Sequence, residues 1–160
     1  MAIEKVREYL KKFGADGRIM EFDVSSATVE LAAVAVGTEP RRIAKTMAFA
    51  VGEKYILIVC AGDVKIDNHK YKSFFGAKAK MLTPEETACH IGHAVGGVCP
   101  FAVPADVEIY LDESLRRFET VFPACGSSNS AIEVTLSEFE KFSGSDRWID
   151  VCRLKEENPV

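Results

Sequence analysis

Two apolar runs separated by a short polar turn constrain this chain more than any other feature. Residues 47–51 and 55–60 are almost wholly apolar, and Gly52-Glu53-Lys54 lies between them. Short apolar runs on either side of a glycine-containing break predict a β-hairpin. Helical signals surround it. Ile3, Val6, Leu10 and Phe13 recur at helical spacing ahead of Gly14, which predicts an amphipathic first helix with a glycine stop. Residues 28–36 predict a second helix, with Ser26 or Thr28 as its cap and Gly37 as its end. Pro40 opens a short helical turn, and residues 67–75 predict a helix ending at Gly76. Thr83-Pro84-Glu85-Glu86 has a capping threonine, a proline suited to the first helical position and a glutamate that closes a capping box. Thr135 with Glu138 repeats the box signature. Later strands are expected at 107–111, 120–124, 131–134 and 148–152, and the tail from Lys155 to Val160 is expected to be loose.

Short strands mixed with short helices, without regular alternation of long ones, predict an α+β domain with a mixed, barrel-like sheet and short surrounding helices. The 160 residues fit a single domain spanning 1–160, a size that buries roughly 70% of the unfolded surface. No apolar run approaches the roughly 20 residues that span a bilayer. The first six residues lead into the amphipathic helix without the apolar core of a signal peptide. A cytoplasmic protein with no membrane partner is the expectation. The five cysteines (Cys60, Cys89, Cys99, Cys125 and Cys152) form no CxxC pair, so reduced thiols serving mostly as small core residues are expected.

Net charge is −4, which by itself disfavours a nucleic-acid partner, but the charge is unevenly spread. Residues 41–80 hold nine basic and three acidic side chains, a local +6 against −10 elsewhere. Such clustering can steer an anionic partner towards one region of an acidic protein.

Three sets of residues carry the chemistry. Lys45, followed by Thr46, sits where the helical turn passes into the first strand of the hairpin, so its stem lies near the core and its amine at the strand's mouth. There it can hold a phosphate or carbonyl oxygen as a compact point charge. Gly96-Gly97-Val98-Cys99-Pro100 forms a glycine-led loop stiffened by proline, and Gly126-Ser127-Ser128-Asn129 forms a second loop of small residues. Backbone amides in such loops can approach a ligand closely and stabilise an oxyanion during acyl transfer. Cys99, with His90 and His93 nearby in sequence, raises the alternative of a thiol nucleophile, and Cys89, His90, His93 and Cys99 raise that of a metal site. The spacing matches no familiar zinc pattern, so no metal and no cofactor are expected. No GxSxG, P-loop or dinucleotide fingerprint is present.

The order of Thr28-Val29-Glu30-Leu31-Ala32-Ala33, Ile43-Ala44-Lys45-Thr46, Ala61-Gly62-Asp63, Gly96-Gly97-Val98-Cys99-Pro100-Phe101, Gly126 and Ala131-Ile132-Glu133-Val134 resembles the YbaK/prolyl-tRNA-synthetase-associated domain family over about residues 20–145. The resemblance implies a mixed-barrel domain that hydrolyses the ester of mischarged tRNA in trans. Its substrate is commonly tRNA for proline carrying alanine or cysteine, and its partners are the acceptor end of that tRNA and, in some members, prolyl-tRNA synthetase. It implies that Lys45 is the hallmark lysine holding the terminal adenosine or the ester. Gly96 through Pro100 correspond to the loop lining the aminoacyl pocket, and Gly126 to the glycine of the facing loop. Lys45, Gly96, Gly97 and Gly126 are thus the expected catalytic set. Thr46, Val98, Cys99, Pro100, Ser127, Ser128 and Asn129 are the expected substrate-binding set. No triad and no general base stand out, and the family resembles this chain in needing none. Ala102 and Cys99 depart from common family residues. Ala131 stands near a position where the cysteine-editing branch tends to have a carboxylate, which favours alanine or another small amino acid. A module of the same fold that binds aminoacyl-tRNA without turnover is the main alternative.

Overall fold

In the computed structural model, which describes residues 2–155, the chain begins with helix α1 (Ala2–Lys11) and short strand β1 (Met20–Glu21). Helix α2 (Val29–Val36) leads through a 3-10 turn at Pro40–Arg42 into the hairpin of β2 (Ile43–Val51) and β3 (Lys54–Ala61). Strand β4 (Val64–Ile66), α3 (Asn68–Phe75) and α4 (Pro84–His90) follow, then β5 (Glu108–Asp112) and β6 (Thr120–Pro123). The chain closes with β7 (Ser130–Ala131), β8 (Val134–Thr135), α5 (Leu136–Ser143), β9 (Trp148–Ile149) and β10 (Cys152–Leu154). The hairpin is the centre of a curled, half-barrel sheet of six strands in the order β8-β6-β2-β3-β5-β9. Within this sheet the β2–β3 and β6–β8 pairs are antiparallel, whereas β6 joins β2, β5 joins β3 and β9 joins β5 in parallel. The expected mixed sheet with short helices around it is therefore present.

Strand β3 explains why the hairpin dominates. Ile56 through Ala61 are all buried, as befits a central strand covered on both faces. Val6 and Leu10 of α1, Phe139 and Phe142 of α5, and Phe101 from the long loop join the same core. Tyr9, Phe101 and Phe139 form a chain of ring contacts between the two helices. A smaller apolar cluster of Ala32, Ala33, Ile43 and Phe122 seats α2 against the start of β2 and against β6.

Caps set the helix boundaries where the side chains demanded them. Thr28, not Ser26, caps α2, its hydroxyl accepting from Leu31 N–H, and both capping boxes, Thr83–Glu86 and Thr135–Glu138, are made. Three expectations need correction. Strand β2 starts at Ile43 rather than Met47, because Ala44, Lys45 and Thr46 pair in register with Ala61, Cys60 and Val59. The run 131–134 splits between β7, which pairs with β1, and β8, which pairs with β6. The run 148–152 likewise splits between β9 on the main sheet and β10, which pairs with β4. Each apolar run serves two sheets, which hydropathy alone cannot separate. The backbone N–H of Lys155 donates to the Asp63 carbonyl at 2.9 Å; the rest of the expected loose tail lies outside the described residues. Among the described residues no helix is long and apolar enough to cross a membrane.

Candidate functional site

A cavity of about 270 Å³ opens where three segments converge. One wall is residues 26–29, entering α2; the second is residues 43–48 of β2; the third is the loop carrying Val95, Gly96 and Val98. Met81, Leu82, Thr87 and Ala124 complete the lining. The volume falls just below the range of roughly 300–1,000 Å³ typical of small-molecule sites, which suits a small group. Met81 and Val95 are 57% and 63% exposed, an apolar rim.

Among the described residues, Lys45 is the one charged side chain in the lining. It occupies the third position of β2, opposite Cys60, and its Nζ donates to the Val64 carbonyl at 3.2 Å. That bond uses one of the ammonium's three donors. Thr28 and Val29, at the start of α2, face the same cavity, so the positive end of a helix dipole and a lysine act on one small volume. The pair favours an anion or a developing negative charge. Among the described residues, no carboxylate, imidazole or thiol lines the cavity.

The glycine loops divide between lining and bracing. Gly96, at φ +97°, presents only backbone to the cavity, a conformation a β-carbon would strain. Gly97 donates its N–H to the Ala94 carbonyl at 3.0 Å and accepts the Gly126 N–H at 3.0 Å. A β-carbon on Gly97 would lie 2.6 Å from Ser127 N. Gly126, at φ +92°, packs against the Ala2 carbonyl of α1. The N–H groups of Gly97 and Gly126 are thus spent within the fold, and Gly96 is the glycine at the cavity. Ser127, Ser128 and Asn129 do not line it. Ser128 and Asn129 clamp the segment that does: Ser26 N–H donates to the Ser128 carbonyl at 2.6 Å, Phe22 N–H to the Asn129 carbonyl at 2.8 Å, and Asn129 Nδ2 to the Phe22 carbonyl at 3.0 Å, while Ser127 Oγ bonds within its own loop, to Asn129 Oδ1 at 2.9 Å.

Lys45, Thr46, Gly96 and Val98 therefore meet at one cavity, while Cys99 and Pro100 turn elsewhere. Pro100 borders a separate cavity of about 260 Å³ with Tyr9 and Arg147. Cys99 is wholly buried, and burial pushes its thiol up to about 12. Its Sγ lies 3.6 Å from His93 Nε2, but that nitrogen sits 2.8 Å from the Phe101 carbonyl. A carbonyl only accepts, so Nε2 carries the proton and has no lone pair to activate a thiol. Burial also lowers the His93 pKa, keeping the ring neutral. The four residues of the metal alternative do not gather: Cys89 is exposed and His90 stacks on Tyr55, whereas His93 and Cys99 lie in the interior. Among the described residues no three histidine, cysteine or acidic side chains are placed to share an ion.

Sequence reasoning missed Ser26, Ala27, Met47, Ala48, Met81 and Thr87. Ser26 and Thr28 carried a signal as competing cap candidates: with Thr28 as the cap, Ser26 is released to face the cavity. Four of the nine basic residues in the 41–80 window hold carboxylates instead of lying free: Arg41 with Glu39, Arg42 with Glu133, Lys54 with Glu108 and Lys70 with Asp150.

The aminoacyl-tRNA editing domain model matches residues 24–142. The Bacillus subtilis protein YwhH is 52% identical over 154 residues, spanning 96% of this chain and 98% of YwhH. Proline–tRNA ligase of Geobacillus sp. strain WCH70 is 28% identical over 133 residues, 82% of this chain but only 23% of the ligase. A crystal structure described as a candidate trans-editing enzyme for prolyl tRNA synthetase superposes with a TM-score of 0.84 at 29% identity, covering 98% of each chain. The matched span takes in every wall of the cavity and both glycine loops, and the chain belongs to the aminoacyl-tRNA editing domain family.

Proposed function

We propose that the chain is a trans-acting deacylase, hydrolysing the ester that joins a wrongly attached small amino acid to tRNA. Transfer RNA for proline carrying alanine, cysteine or another small residue is the proposed substrate, and prolyl-tRNA synthetase the proposed source of the errors. The observation that carries this reading is the cavity itself: small, largely apolar, and dominated electrostatically by Lys45 and the start of α2.

The aminoacyl group enters the cavity, and the charged acceptor end is held at its mouth. Lys45 is a substrate-holding charge on the ester or the terminal phosphate. Gly96 and the first turn of α2 supply preorganised dipoles for the oxyanion that forms when water attacks the carbonyl. An aminoacyl ester is already activated, so fixing the geometry and stabilising charge accomplish much of the catalysis. With no carboxylate, imidazole or thiol among the described lining residues, and Lys45 held as a charge, the proton moves through water and a terminal ribose hydroxyl of the tRNA. Selection by size fits a second sieve, because a synthetase pocket rejects a side chain smaller by a methylene by only about 1–3 kcal/mol.

The experiment is release of amino acid from a panel of purified mischarged tRNAs. Wild type is expected to hydrolyse at least one of them and to spare correctly charged tRNA. No release from any member of the panel would defeat the proposal. The lack of a protein base in the lining supports a second reading, a module that binds aminoacyl-tRNA without turnover. Tight binding with no release would select it.

A further inference from the structure

Four hydroxyl side chains line the cavity, and they fall into two pairs. Thr28 Oγ1 accepts from Leu31 N–H at 3.2 Å, and Thr87 Oγ1 donates to the Thr83 carbonyl at 2.8 Å. Ser26 Oγ and Thr46 Oγ1 are buried and have no hydrogen-bond partner. Buried hydroxyls in folded proteins are overwhelmingly paired, and an orphan is destabilising. Neither residue belongs to a loose segment. Ser26 is only 5% exposed and its backbone is tied to Ser128, while Thr46 is locked in register with Val59 at the centre of the hairpin. Two unrelated segments thus each carry an unsatisfied hydroxyl, its oxygen shut off from solvent, on a residue that lines the same small cavity. A different χ1 rotamer can turn such a hydroxyl towards an occupant.

The chemistry of the cavity narrows the group they would satisfy. Every aminoacyl ester brings its own α-ammonium, and a further cation on its side chain would sit beside Lys45 with no carboxylate in the lining to balance it, so a basic side chain is a poor match. A hydroxyl both donates and accepts, and pairs with two other hydroxyls in either sense. We propose that Ser26 and Thr46 are specificity-determining residues that read a hydroxyl on the aminoacyl group, selecting tRNA that carries serine or threonine over tRNA that carries alanine. This rests on the deacylase reading and narrows its substrate class.

The test compares one tRNA acylated in turn with serine, threonine and alanine, using wild type and the double variant Ser26→Ala, Thr46→Val. Wild type is expected to show kcat/KM for the seryl ester at least about tenfold above the alanyl ester, and the double variant to bring that ratio to within about threefold of unity. A wild-type ratio at or below one overturns the proposal, as does a ratio the double variant leaves unchanged because both esters slow equally. If no ester is hydrolysed, the deacylase reading fails separately. The preference is then read by calorimetry with non-hydrolysable amide-linked seryl- and alanyl-adenosine, under the same two criteria. Thr46→Val is also expected to hold or raise the thermal midpoint, since it removes an orphaned buried hydroxyl at equal volume; a lowered midpoint would show that the hydroxyl is satisfied and would also overturn the proposal.

Discussion

Single residues decide whether the cavity keeps its shape, and Gly62 is the sharpest case. A β-carbon there would lie 2.1 Å from the Pro40 carbonyl oxygen and 2.6 Å from Val29 Cγ1. The Pro40 contact is with backbone and cannot be relieved by a rotamer change. Gly62→Ala is expected to cost about 1–3 kcal/mol or more, as overpacking does, read as a lowered urea midpoint. It should also weaken catalysis, because Val29 is a cavity wall. Cysteine chemistry gives a second prediction at this scale. Cys89 is exposed, whereas Cys60, Cys99, Cys125 and Cys152 are buried, and burial drives the Cys99 and Cys125 thiols well above their usual range. Alkylation of the native protein followed by mass spectrometry should label Cys89 alone, and the alkylated protein should retain its activity. Rapid labelling of Cys99 would contradict the buried, protonated thiol and reopen a nucleophilic role.

At the scale of elements, α5 shows how a cap and an ion pair act together. Glu138 closes the capping box on Thr135 and also receives Arg18, at 2.7 Å and 3.0 Å to its two oxygens. The Arg18 guanidinium, with the Thr135 N–H, holds the Glu138 carboxyl at about 2, down from 4.5. A depressed carboxylate pKa contributes stability that is present above the unfolded value and lost as pH falls through the folded value. Wild type should therefore lose stability between about pH 4.5 and 2, and Arg18→Met should flatten that part of the stability profile. An identical slope in the variant would show that the pair contributes nothing. Elements also mark what was legible in sequence. The hairpin and the capped helices could be read because each announces itself locally, through an apolar run or through a threonine three residues before a glutamate. The runs holding strands β7 to β10 could be read as strand, but their bounds could not, because these depend on which distant strand each residue meets. The site was legible in the same partial way. Lys45 and Gly96 stand out by residue type, whereas Met81, Thr87 and Ala48 are ordinary residues that become cavity lining only through folding. The bracing role of Ser128 and Asn129 was hidden for the same reason: their partners Ser26 and Phe22 lie about a hundred residues away in the chain.

For the whole molecule, the account is one of division of labour. A two-side-covered hairpin provides a rigid floor, the start of α2 and the glycine loop close a small cavity over it, and the second loop braces α2's entry. Among the described residues the lining holds no carboxylate, imidazole or thiol, so on the proposed deacylase reading turnover depends on how well the ester is held. Lys45 is central to that claim. Its removal should act chiefly on binding and on charge stabilisation, lowering kcat/KM by about 10²-fold or more. The direct measurement is single-turnover hydrolysis of a mischarged tRNA by wild type and Lys45→Ala over a range of enzyme concentrations, with circular dichroism confirming that the variant is folded. The account predicts efficient release by wild type and a variant slowed by about two orders of magnitude, with weakened substrate binding. A folded Lys45→Ala protein that deacylates as fast as wild type would contradict it.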